Sequence, residues 1–93
     1  KWRELLEEQD WPLFNTLRDW RNQQAREEGI PPYVICTNRQ LAAIAHDRPA
    51  SLSKLGMVEG LGRAKLERYD GFILKIVEPE KKENAAGEYS GTA

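Results

Sequence analysis

The residues best suited to chemistry are cations and glycines gathered in one stretch. From Leu55 to Tyr69 a short apolar run leads into Gly60-Leu61-Gly62, followed by Arg63, Lys65 and Arg68. Glycines at Gly60 and Gly62 allow a tight turn with positive φ and a close backbone approach. A helix opening after Gly62 begins with unpaired N–H groups and a positive dipole end, which suits a phosphate. Lys65 and Arg68 are three apart and share a helix face. Lys54, on a preceding short helix, lies within reach of the same hairpin. Tyr33 follows Pro31 and Pro32 on a rigid connector, where its ring offers a surface for stacking a base. Two plainer readings stand beside these. The glycines also suit an ordinary corner between helices, and Tyr33 also suits a lid over the core.

No catalytic set accompanies these groups. His46 is the only histidine, so a histidine metal cluster is excluded, and with Asp47 beside it a helix end is its expected place. Cys36 is the only cysteine, which excludes an internal disulfide and fits a reducing compartment. It follows an apolar run and reads as a small buried hydrophobe. Glu7-Glu8 and Glu27-Glu28 read as solvated faces. The glycines form no Walker or dinucleotide motif, because no strand precedes Gly60. Binding remains.

At 93 residues the chain makes one small domain with little room for a deep cleft. No apolar run is long enough to span a membrane, and the first residues lack the apolar core of a secretory signal. The net charge is −1. Residues 12–79 carry ten Lys and Arg against eight Asp and Glu, a net of +2, while both ends are acidic. So small a basic excess predicts weak nucleic-acid binding.

Helices must position these groups. Residues 1–11 read as a partly helical lead-in or linker end, with Trp2, Leu5 and Leu6 on one side. Asp10-Trp11-Pro12 reads as a capped helix start. Leu13, Phe14, Leu17, Trp20 and Ala25 form the apolar stripe of that helix, and Gly29 stops it. Ile30 to Cys36, with its two prolines, predicts an extended connector lying over the core. Thr37-Asn38-Arg39-Gln40 has the pattern of a capping box, with Leu41, Ile44 and Ala45 inward. Ser51 caps a short helix with Leu52 and Leu55 inward, ended by Gly56. The last helix shows Leu66, Tyr69, Ile73 and Ile76, with Gly71 able to bend it and Pro79 to end it. Residues 80–93 read as a disordered tail or linker. The fold class is all-α, a compact orthogonal bundle of four to five short helices, with the main domain at 12–79.

Taken together, Leu17-Arg18, Arg21, Ala25, Gly29-Ile30-Pro31-Pro32-Tyr33-Val34-Ile35, Leu41, Ala45, Pro49 and Gly60-Leu61-Gly62-x-x-Lys65-Leu66-x-x-Tyr69 resemble an HRDC domain. The name stands for helicase and RNase D C-terminal. The likeness covers residues 12–78 and is nearer the RecQ helicase branch than the RNase D branch. It implies a non-catalytic accessory module of a RecQ-like DNA helicase. Such a module holds single-stranded or partly duplex DNA weakly and tunes substrate choice. It needs no cofactor, since ATP and a divalent metal belong to the helicase core. The implied setting is a cytoplasmic, nucleoid-associated protein, with the isolated domain monomeric. The alternative is docking on another domain of the helicase or on a repair protein. Where the family often has glycine after the tyrosine, this chain has Asp70, a negative charge near Lys65 and Arg68. The expected DNA-binding residues are Tyr33, Arg39, Lys54, Gly60, Gly62, Arg63, Lys65 and Arg68.

Overall fold

A computed structural model describes the backbone of residues 1–92 and the side chains of residues 1–78. Two 3-10 turns, Trp2–Leu5 and Glu8–Asp10, precede α1 (Trp11–Glu28), α2 (Pro32–Ile35), α3 (Asn38–Asp47), α4 (Leu52–Leu55) and α5 (Arg63–Thr92). No strand occurs among the described residues. The all-helical expectation therefore holds.

In α1 the buried residues Leu13, Leu17, Arg21 and Ala25 recur every four positions, with Phe14 beside them. That spacing winds one stripe down a helix. The stripe packs on α2, α3 and α5. Gly29 ends the helix at φ 71°, and its N–H reaches the carbonyls of Ala25 and Arg26. A left-handed residue there satisfies carbonyls that the helix leaves open. Thr37 and Gln40 close the expected capping box of α3 at 2.9 and 3.1 Å. Ser51 caps α4 at 3.2 Å.

Several expectations change. The Pro31-Pro32-Tyr33 stretch is not extended throughout. Pro31 is extended, but Pro32 is the first residue of the helical turn α2. Proline is welcome there because that N–H has no partner within the helix and its φ is already helical. Asp10 stands at the start of α1 without capping it; its carboxylate serves the preceding turn and α3. Leu52, inward by its spacing, is instead 51 % exposed. Only Gly60 of the hairpin pair has positive φ, 89°. α5 runs on without a break at Gly71 and continues past Pro79. The side chains of residues 79–93 lie outside those described, and so does the reading of 80–93 as a tail.

The core contains Leu13, Leu17, Leu41, Ile44, Leu55, Leu61 and Ile73 as expected, with Trp20, Leu66 and Ile76 only half-buried. In α5 the buried line is Tyr69, Ile73 and Val77. Val77 replaces Ile76 because a spacing of four keeps the stripe facing α1. The lead-in docks on the bundle. Trp2 stacks on Phe14 with ring centroids 4.9 Å apart, and Trp11 meets Phe14 edge-on at 5.4 Å.

Candidate nucleic-acid interface

α2 is only one turn long, yet it controls where Tyr33 goes. Ile35 and Cys36 are buried and anchor it, so the opposite side of the turn faces solvent. Tyr33 stands there 66 % exposed. It lines a hollow of 270 Å³ with Pro32, Thr37, Asn38 and Arg21.

Thr37 also borders a neighbouring groove of 460 Å³, lined by Arg39, Val58, Glu59 and Gly60 among others. Arg39 is exposed. Gly60 is glycine for a packing reason as well as for its φ. A Cβ there would collide with the side-chain amide of Gln40, whose Nε2 donates to the Glu59 carbonyl at 3.3 Å. Val58 links this groove to a smaller one of 220 Å³ beside Lys54, Met57 and Asp47. The structure thus strings Tyr33, Arg39, Gly60 and Lys54 along three adjoining hollows.

Gly62 sits just before α5, with open space where a Cβ would stand. Its carbonyl accepts the Leu66 N–H at 3.0 Å. Arg63 is exposed and 4.0 Å from Glu67 one turn on, a contact worth little in water. Lys65 is half-buried, and its charge bears on the Cys36 thiol. Burial nevertheless pushes that thiol up to about 11, so Cys36 is a packed hydrophobe at neutral pH.

Arg68 belongs to different surroundings. Its guanidinium meets the Glu28 carboxylate at 3.0 Å and lies over the Tyr69 ring. The Tyr69 hydroxyl donates to both oxygens of Glu28 at 2.8 and 3.0 Å. The Gln24 Nε2, which donates to Glu28 Oε2 at 2.8 Å, and then Tyr69 and Arg68 hold Glu28 below the usual carboxylate range. Arg68 shares a separate hollow of 420 Å³ with Asp70, Phe72 and Lys75. Arg68 is thus engaged by Glu28 at the end of α1, whereas Lys65 bears electrostatically on Cys36.

Arg21 and Asn38 were not among the expected site residues. Arg21 is buried, 7 % exposed, and its Nη1 donates to the Cys36 carbonyl at 3.0 Å and to Asn38 Oδ1 at 2.8 Å. The available signal was its place in the apolar stripe, four after Leu17 and four before Ala25.

His46 joins Asp10 rather than a catalytic group. Its Nδ1 is 2.8 Å from Asp10 Oδ2, Arg48 lies 3.8 Å from the other oxygen, and the Glu7 N–H donates to Asp10 at 2.9 Å. The hydrogen bond to Asp10 raises the imidazole above its ordinary value. Burial works to raise Asp10, but the Glu7 N–H and His46 outweigh it and the carboxyl titrates low. Among the described residues no group of three or more His, Cys, Asp or Glu is placed to hold a metal. No helix among them is long and apolar enough to cross a membrane.

The family model of the HRDC domain matches residues 11–77. The chain belongs to the HRDC domain family, and such a domain is an accessory module that is not catalytic by itself. Over 68 residues it is 37 % identical to the ATP-dependent DNA helicase UvrD2 of Mycobacterium tuberculosis, a match covering 73 % of this chain and 10 % of that protein. It is 30 % identical over 80 residues to the ATP-dependent DNA helicase RecQ of Pasteurella multocida, covering 86 % of this chain and 13 % of that one. The RecQ helicase of Haemophilus influenzae is 33 % identical over 72 residues, covering 77 % and 12 %. The chain spans about a tenth of the length of these curated relatives. No solved structure matches it.

Proposed function

We propose that this domain is an accessory nucleic-acid-binding module of an ATP-dependent DNA helicase. It holds single-stranded or partly duplex DNA weakly, without reading sequence, and so tunes which substrates the helicase engages. The observation that carries the reading is the exposed Tyr33 ring at one end of a run of grooves lined by Arg39, Gly60 and Lys54. Stacked bases and neutralised phosphates are the two ingredients of sequence-tolerant strand binding. Backbone N–H groups around Gly62 and Arg63, with Lys65, extend the path. With two or three phosphates engaged, the salt slope is about −1.4 to −2.1 on single strands. The affinity lies on the order of 10⁻⁴ to 10⁻⁶ M. ATP and a divalent metal serve the helicase core outside this domain, in the cytoplasm at the nucleoid, and the isolated domain is a monomer.

The test is an anisotropy titration of a labelled oligothymidylate at low and at moderate salt. Saturable binding that weakens with that slope supports the reading. Absence of binding at low salt defeats it. A second reading, docking on another domain of the same helicase or on a repair protein, draws on the opposite face. There Phe72 is 49 % exposed and stacked on Trp20, whose buried indole N–H has no hydrogen-bond partner among the described residues.

A further inference from the structure

The lead-in is tied to the bundle by a buried carboxylate. Asp10 Oδ2 meets His46 Nδ1 at 2.8 Å and accepts the Glu7 N–H at 2.9 Å, while Arg48 Nη2 stands 3.8 Å from Oδ1. Arg48 Nη2 also donates to the Gln9 carbonyl at 3.1 Å. Arg48 ends α3 in a left-handed conformation, φ 49°, which a residue with a Cβ rarely adopts. One side of this joint is therefore the lead-in and the other is the end of α3. The charged groups bearing on His46 are Asp10 and Glu7 from the lead-in and Asp47 from α3. Packing adds the rest: Leu6 is buried and Trp2 stacks on Phe14. The two 3-10 turns have four and three residues, too few to persist without docking. Asp10 gives α1 no side-chain cap, so α1 loses none if the lead-in lifts. The His46 side chain is 43 % exposed against 4 % for Asp10. A proton can therefore leave the imidazole for solvent while the carboxylate stays buried.

We propose that residues 1–10 are a strap latched to the end of α3 through Asp10, and that loss of the His46 proton lets this strap lift while the bundle stays folded. With the proton, the bond to Asp10 joins two opposite charges. Without it the imidazole is neutral, that attraction goes, and a buried carboxylate is left less well matched. Bonding to Asp10 raises His46 above its ordinary 6.5. The latch is therefore at full strength below that value and weakens as pH rises through the closed-state pKa. Lifting changes a surface elsewhere. Leu5 is one wall of the 460 Å³ groove that Thr37, Arg39 and Gly60 also line. An open strap removes that wall and uncovers the Phe14 ring beneath Trp2. It also carries away the exposed Glu4, Glu7 and Glu8. The strap stands or falls independently of whether the groove holds DNA.

The experiment is an NMR titration of the full chain from about pH 5.5 to about pH 8.5, bracketing the imidazole range. It reads the His46 ring protons, the cross-peaks between the Trp2 and Phe14 rings, and the methyl signals of Ile73 and Val77. Loss of the ring cross-peaks with the His46 midpoint, at constant Ile73 and Val77 signals, supports the strap. Cross-peaks that persist while His46 titrates overturn it, and so does a joint movement of ring and core signals. Asp10→Asn removes the charge and keeps the shape. It should leave the strap open across the range, with core signals in place and His46 titrating lower than in the wild type. A closed strap in that variant overturns the latch. The open-to-closed ratio of the wild type should rise about tenfold for each pH unit that separates the two His46 midpoints. If Asp10→Asn does not fold, His46→Gln is the second variant, since it keeps a donor and takes no proton. Ring cross-peaks that no longer respond to pH then support the proposal, and a response like the wild type's overturns it.

Discussion

Two faces of this domain carry arginines and aromatic rings, and they differ in how their charges are matched. On the α2–α3 face, Arg39 and Lys54 make no ion pair among the described residues, Arg21 has only neutral acceptors, and Tyr33 is turned outward. On the α1–α5 face, Arg68 is held by Glu28, Glu28 also takes the Tyr69 hydroxyl, and Phe72 lies against Trp20. The composition of the two faces is similar. The matching of their charges is not, because Glu28 holds Arg68 in an ion pair while Glu59 and Asp47 only share the hollows of Arg39 and Lys54. A cation's availability is therefore set by its neighbours and not by its spacing along a helix.

The most damaging change strikes the floor beneath both faces. Ile73 is buried in α5 against the core, and Ile73→Ala should cost about 2–5 kcal/mol by the usual cavity argument. Thermal or urea unfolding reads this directly, and a variant as stable as wild type would refute the core assignment.

Next in size is the aromatic contribution. Tyr33→Ala should weaken oligothymidylate binding by about 1–3 kcal/mol with little change in stability, since the ring is exposed. The salt slope should stay constant, because stacking releases no counterions. A changed slope with unchanged affinity would remove Tyr33 from the interface.

The sharpest test of the comparison is a pair of charge removals. Arg39→Ala with Lys54→Ala should flatten the single-strand salt slope by about 0.7 for each phosphate no longer neutralised. Arg68→Ala should leave slope and affinity nearly unchanged and instead loosen the α1–α5 packing. Asp70→Asn should do little to binding as well, since Asp70 lies in the Arg68 hollow and its Oδ1 accepts the Gly71 N–H at 2.6 Å. If Arg68→Ala proved the more harmful, the assignment of the two faces would be reversed.

The smallest effect concerns the third charged cluster, at the lead-in. The folded His46 titrates above its ordinary value of 6.5. Its contribution is therefore fully present below that value and is lost as pH rises through the folded pKa. Asp10 titrates below its ordinary 3.8, so its contribution holds above that value and is lost as pH falls through the folded pKa. Melting temperatures should decline modestly as pH rises above 6.5 through the folded His46 pKa, and His46→Ala should flatten that decline. An identical pH profile in the variant would show that the pair is not coupled to folding.

Local sequence determined the features whose causes are local. The capping box from Thr37 to Gln40, the Ser51 cap and the glycine stop at Gly29 each depend on groups within four residues, so spacing alone reveals them. The apolar stripe of α1 was equally legible, as were the helical class and the family likeness. Tertiary structure decided the rest. Pro32 begins a helical turn because Ile35 and Cys36 can be buried behind it, and that turn exposes Tyr33. Asp10 abandons the cap of α1 for His46, 36 residues away. Arg68 finds Glu28 at a separation of 40, and Arg21 finds Asn38 at a separation of 17. Charge pairing depends on distances in space of a few ångströms, because Coulomb attraction and hydrogen bonding fall away beyond them. Such distances between remote segments are set only when the helices pack.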